Sequence, residues 1–221
     1  MVFPSSTEMK KTYDLTLTLT SHIPVFPGQP PLSFLPWSNL KVHGNATNAF
    51  FMVEHTGTHL DAPAHFIEGG KTVEEIPLER FWGEALVLDV SPYLCKGKLE
   101  LSDFKKIEGE KDIKEGDIVL FYSGADKLLG RPEYFTQGVY LTESVAEFLI
   151  DKKVKGVGID SPSIDSQPFA VHRLLLAREI IIYESLTNLG ELRGKRVIFA
   201  GFPLKLQGCT GSPIRAIALC S

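Results

Sequence analysis

The sequence predicts an α/β fold, one domain over residues 1–221 built on a mixed sheet, and three observations carry that expectation. The chain has 221 residues, the size of one sizeable domain. Short apolar, β-rich runs recur along it, several apolar throughout, as strands covered on both faces are. Stretches with helical spacing fall between some of these runs, with no internal repeat and no composition shift to mark a linker.

Tyr13, Leu15, Leu17 and Leu19 alternate with Asp14, Thr16, Thr18 and Thr20, the period-2 pattern of a half-buried strand. Ile23-Pro24-Val25-Phe26-Pro27-Gly28 follows, where two prolines and a glycine favour a rigid loop. Further strands are expected at 49–53, 85–90, 118–122, 154–159, 180–183, 197–202 and 214–219. Helices are expected at 102–107 with Ser102 as cap, at 142–150 behind a Thr142 cap, and at 169–178.

Composition narrows the function classes. Hydrophobic residues make up 43% and charged residues 23%, ordinary values for a soluble globular protein. Lys plus Arg is 23 against 27 for Asp plus Glu, a formal charge of −4 with no concentrated basic patch, which argues against a nucleic-acid partner. The three cysteines, Cys95, Cys209 and Cys220, are widely spaced and form no CxxC, which argues against a disulfide framework and against a thiolate zinc site. The first residues lack the apolar core of a signal peptide and no run reaches membrane-spanning length, so a cytoplasmic address and no membrane partner are expected. A chain of this length buries roughly 70% of its unfolded surface, so a metal site in it points to catalysis rather than to a structural staple.

The chemistry concentrates in Glu54-His55-Thr56-Gly57-Thr58-His59-Leu60-Asp61-Ala62-Pro63-Ala64-His65-Phe66. Read as a continuation of the 49–53 strand, it turns His55, Gly57, His59 and Asp61 to one face, because residues two apart share a face of an extended chain. Two imidazoles and a carboxylate are the ligand set that zinc and similar divalent ions prefer. Histidines four apart also fit a helix, as in HExxH metalloproteases, but Gly57, the β-branched threonines and Pro63 disfavour one and no Glu follows His55. A single buried histidine is more often a satisfied core residue than a ligand. Three histidines and an aspartate within this short stretch, in a chain with 6 histidines, favour ligation. On their own patterns His172 and Glu184 stay open: His172 begins a helical stretch, and Glu184 ends a buried strand, facing either solvent or a site. His22 and His43 read as surface residues.

The block from His55 to Phe66 closely resembles the HxGTHxDxPxHF signature of the cyclase family of metal-dependent hydrolases, which includes kynurenine formamidase and isatin hydrolase. The likeness covers nearly the whole chain. Asp14-Leu15-Thr16 and Pro24-Val25-Phe26-Pro27-Gly28 resemble the family's opening strand and proline loop, and Gly158-Ile159-Asp160-Ser161-Pro162-Ser163-Ile164-Asp165 its G-x-D-x-P-S-x-D segment. His172, Tyr183-Glu184-Ser185-Leu186, Pro203-Leu204-Lys205 and Gly211-Ser212-Pro213-Ile214-Arg215-Ala216 follow in order. The resemblance implies a swivelling β/β/α-type fold, usually a homodimer. It implies that His55, His59 and Asp61 bind one metal, that Asp61 and Glu184 bridge to a second completed by His172, and that His65 is the acid/base residue. Two departures bear on substrate. Phe26 stands where kynurenine formamidases typically carry a Trp against the substrate ring, and Ser185 where many members have Asn.

The expected function is metal-dependent hydrolysis of a small aromatic amide, of the arylformamidase type that converts N-formylkynurenine to kynurenine and formate. A cyclic amide or lactone of the isatin type is the alternative substrate class. Zinc is the expected ion and manganese the alternative, one or two per subunit. A serine hydrolase would need a G-x-S-x-G elbow, and Ser123 instead precedes Gly124 directly. A non-catalytic metal-binding protein would need no acid/base histidine beside its ligands, which argues against that reading.

Overall fold

The computed structural model describes residues 11–220. Its main sheet has nine strands: β1 (Lys11–Asp14), β4 (His59–Asp61), β5 (Trp82–Asp89), β7 (Ile118–Tyr122), β9 (Gly156–Ile159), β10 (Ile181–Glu184), β11 (Arg196–Ala200), β12 (Gly211–Pro213) and β13 (Ile217–Cys220). Two ribbons stand apart, β2 (Ser33–Ser38) with β3 (Thr47–Phe51), and β6 (Lys98–Leu99) with β8 (Tyr140–Leu141). The helices are α1 (Leu40–His43), α2 (Leu101–Phe104), α3 (Glu143–Asp151) and α4 (Ala170–Leu176).

The sheet runs in the order β1-β13-β11-β5-β7-β9-β10-β4-β12. Strands β5, β7, β9 and β10 pair in parallel, and every pairing outside that centre is antiparallel. The expected mixed α/β class is therefore borne out. The parallel centre explains the unbroken apolar runs: in β7, Ile118, Leu120 and Tyr122 enter one core cluster while Val119 and Phe121 enter the other. The second cluster lies under α3 and α4, whose Val145, Ala146, Leu149, Val171 and Leu175 pack on it. Connections through α3 and α4 carry the chain from β8 to β9 and from β9 to β10, so the C-terminal ends of β9 and β10 sit beside the start of α4.

Several expected elements shift. The alternating segment 13–19 is a strand only to Asp14, because the Asp14 carboxylate accepts the Thr16 N–H (3.1 Å) and turns the chain; one bridge, Thr16 to Leu186, remains beyond it. The helix expected behind Ser102 begins at Leu101 with Glu100 as its cap. The largest correction concerns the metal segment. The 49–53 strand belongs to the outlying β2–β3 ribbon, and a turn at 54–58 separates it from β4. Gly57 sits at φ 68, a left-handed conformation that an extended strand excludes and that glycine adopts at little cost. His55 therefore reaches the site from a turn, not along a strand.

Candidate metal centre

Strand β4 lies between β10 and β12, with His59 opposite Glu184 and Asp61 opposite Ile182. His59 and Asp61, two apart on the strand, share the face that Glu184 shares from β10. His172 enters from the first turn of α4, and His55 from the turn before β4. All five side chains that the sequence singled out as ligands converge. The donor atoms form two triads, His55/His59/Asp61 and Asp61/His172/Glu184, each with its atoms within 4.8 Å of one another, and Asp61 belongs to both.

The distances run from His55 Nδ1 to Asp61 Oδ1 at 2.7 Å, through His172 Nε2 to Glu184 Oε1 at 3.2 Å, to His172 Nε2 to Asp61 Oδ2 at 3.5 Å. His59 Nε2 stands 3.5 Å from Asp61 Oδ1 and 3.7 Å from Glu184 Oε2. Asp61 is 1% exposed, and its Oδ2 has no hydrogen-bond partner among the described residues. A buried carboxylate oxygen left unpaired is costly, and a cation among these donors would satisfy it. The donor set, three imidazoles and two carboxylates, fits a divalent ion of the zinc or manganese kind.

Each candidate imidazole has its far nitrogen occupied, as metal-bound histidines do. His59 Nδ1 bonds the Gly57 carbonyl at 2.8 Å. His172 Nδ1 bonds Asp165 Oδ1 at 2.5 Å, while Asp165 Oδ2 accepts the Val171 N–H (2.7 Å) and so fixes the start of α4. His55 Nε2 faces Thr210 Oγ1 at 3.2 Å and Glu54 Oε1 at 3.5 Å. A Cβ at Gly211 would collide with the His55 ring, 2.8 Å from its Nδ1, so that position holds the imidazole only while it is glycine. Glu184 Oε1 in turn accepts the Ile164 N–H at 2.8 Å. Glu54, Thr210 and Asp165 received no role from sequence reasoning. The signals were present for two of them, Glu54 adjoining His55 and Asp165 closing the G-x-D-x-P-S-x-D segment.

His65 differs from the other three. It sits on the short helical turn Pro63–His65, stacks on His55 with ring centres 4.0 Å apart, and meets Phe66 edge-on at 4.5 Å. No hydrogen bond from a described residue ties its ring nitrogens. Burial, reinforced by the imidazoles of His55, His172 and His59 and opposed by Asp61, lowers its pKa to about 4. Burial opposes ionisation of Asp61 as well, but the surrounding imidazoles of His172, His55 and His59 outweigh it and hold that carboxyl well below the ordinary range. For His55, burial is outweighed by its bonds to Asp61 and Glu54, which raise it to about 9 in the protein alone.

The cluster forms the floor of a cavity of about 230 Å³ whose upper wall is aromatic: Phe26, Tyr134 and Phe135 on one side, Phe66 and Phe169 on the other. Phe26 is 42% exposed and meets Phe135 edge-on at 6.1 Å. Tyr134 donates to Ser185 Oγ at 3.1 Å, and the Ser185 carbonyl accepts the Thr58 hydroxyl, which ties the aromatic wall to the strand carrying His59.

Known proteins resemble this chain along most of its length. Residues 13–166 match the model of the family described as "Putative cyclase". The chain belongs to that family. It is 32% identical over 208 residues to a kynurenine formamidase of Bacillus cereus, covering 92% of this chain and 95% of the relative. In structure it is similar to isatin hydrolase A from Labrenzia aggregata, with TM-score 0.86 and 27% identity over 96% of this chain and 94% of that one. A "predicted metal-dependent hydrolase" from Bacillus stearothermophilus matches with TM-score 0.80 and 29% identity, over 97% and 100% of the two chains. The expectation of a metal-dependent amidohydrolase holds at the level of the family. Among the described residues no helix is long and apolar enough to cross a membrane.

Proposed function

We propose that this protein hydrolyses a small aromatic amide of the arylformamide class, with N-formylkynurenine as the leading substrate. The observation that carries the reading is the pair of donor triads sharing Asp61 at the floor of an aromatic cavity. His55, His59 and Asp61 would hold one divalent ion, and Asp61, Glu184 and His172 could hold a second; zinc suits the imidazole-containing set best, with manganese the alternative. Such an ion polarises a carbonyl and brings the pKa of water toward neutrality.

The chain's own residues do the rest. Phe26, opposite Phe66 and Phe169, offers an apolar face to an aryl ring, and Pro24 and Pro27 on either side of it lower the cost of ordering that contact. His65 accepts the proton of the attacking water. Burial keeps its imidazole neutral at working pH, the form that can accept a proton and return it to a departing aryl amine. The unbonded ring nitrogens of His65, against the occupied ones of His55, His59 and His172, support acid/base work over ligation.

Metal analysis combined with turnover on N-formylkynurenine, isatin and simple aryl formamides tests the reading. One or two zinc ions per chain and preferred cleavage of the formamides are expected. Preferred opening of isatin would move the substrate to the cyclic amides, a reading that similarity to isatin hydrolases supports. A metal-loaded protein inert on all three compounds sinks both.

The working assembly is a homodimer. The β2–β3 ribbon and α1 expose Leu35, Trp37, Leu40, Val42, Phe50 and Phe51, Trp37 by 78%, and apolar side chains grouped in this way suit a partner surface. Sedimentation equilibrium giving a single-chain mass would reject it.

A further inference from the structure

His55 is the odd ligand candidate in its tautomer. His59 and His172 turn Nε2 toward the carboxylates and bond outward through Nδ1, whereas His55 turns Nδ1 inward and Nε2 outward. Which nitrogen of an imidazole carries the hydrogen is set by the partner on its other side. For His55 that partner is a two-residue chain. Thr210 Oγ1 lies 3.2 Å from His55 Nε2 and 2.5 Å from Glu54 Oε1, and the Thr210 N–H reaches the same Glu54 oxygen at 2.9 Å.

The direction of this chain follows from its chemistry. An ionised carboxylate only accepts, so the Thr210 hydroxyl donates to Glu54 and has only its lone pairs left for His55. His55 must then donate through Nε2–H, so Nδ1, 2.7 Å from Asp61 Oδ1, is the nitrogen whose proton a cation would displace. We infer that Glu54 and Thr210 are a positioning pair that fixes His55 in its Nε2–H tautomer and so presents Nδ1 to the metal. The inference rests on the reading of His55 as a ligand. The pair also joins segments far apart in sequence. Glu54 leaves the β2–β3 ribbon, and Thr210 enters β12 beside Gly211, which cradles the ring.

The test uses the full chain with Zn²⁺, its affinity read by competition with a chromophoric chelator and its histidine tautomers by long-range ¹H–¹⁵N spectra of the zinc-loaded protein. Removing a partner of a ligating histidine typically weakens metal binding about 10–100-fold. Thr210→Val, which keeps the shape but cannot relay, and Glu54→Gln, which can donate back to the hydroxyl, are expected to fall in that range. Both should also lose the Nδ1-coordinated, Nε2–H pattern of His55. Thr210→Ser should restore affinity and pattern. Loss of affinity with the His55 pattern intact would show a merely structural pair and overturn the inference, as would wild-type affinity in both variants. His55→Ala separates the two levels. If it keeps zinc at wild-type affinity, the ligand reading itself fails; if it loses zinc while Glu54→Gln and Thr210→Val do not, only the positioning role fails.

Discussion

The two triads are built differently although they share a residue. His55, His59 and Asp61 come from one turn and one three-residue strand, and His55 is the least enclosed member, braced from outside by Glu54 and Thr210. Asp61, His172 and Glu184 come from two strands and a helix, all are at most 4% exposed, and a backbone bond holds Glu184 while a carboxylate bond holds His172. One half of the centre is local in sequence and depends on a borrowed outer shell. The other is distant in sequence and depends on the sheet. The difference teaches that the first can be weakened without touching the core, and the second cannot.

The strongest test removes what they share. Asp61→Ala strips a carboxylate from both triads, and metal content measured by plasma mass spectrometry should fall to background with turnover following it, while the chain stays folded because its core is large enough without metal. His65→Ala touches neither triad. It should keep its metal and lose roughly 10²–10⁴-fold in kcat, the usual worth of a positioned proton carrier; loss of metal instead would make His65 a ligand. Gly211→Ala sharpens the comparison directly. Its methyl group displaces the His55 ring, so metal affinity of the first triad should drop by about 10–100-fold while the second keeps its ion. Equal loss from both, read by metal titration, would mean the halves are not separable.

Phe26→Ala should raise KM for aryl formamides severalfold with less effect on kcat, since ring contact is similar in ground and transition states. An unchanged KM would remove Phe26 from the substrate path. Asp160 provides a control carboxylate, as buried as Asp61 but without cations around it. Burial lifts it to about 7 against the bonds it accepts from Ser123 and Gly124. Because the folded value lies above the ordinary 3.8, the native state holds the proton across that window. Its contribution to stability is complete below the ordinary value and is lost as pH rises through about 7. Asp160→Asn should lower Tm, one donor losing its acceptor, yet flatten the fall of Tm between pH 4 and about 7. An unaltered slope would clear Asp160 of that role.

What sequence made legible follows the same division. The parallel centre was readable because strands buried on both faces, such as Ile118–Tyr122, are apolar at every position. The local triad was readable because three donors fall within seven residues, although the geometry assigned to it was wrong: Gly57 breaks the strand that was to carry His55. His172 and Glu184 were ambiguous in themselves, and only likeness to a known family drew them in, since helix and strand termini bring them together over separations that no local pattern records. Glu54 and Thr210 were invisible as a pair, because their contact exists only once β12 docks against β4.

Sharing Asp61 has a thermodynamic consequence. Its Oδ1 faces His55 and His59 and its Oδ2 faces His172, so one carboxylate stands in both triads. Occupying either side changes the charge and orientation available to the other, and by linkage the factor is the same in both directions. Two ions held there would be coupled: a titration would report one linked system, in which a change at one triad reaches the other only by the coupling factor.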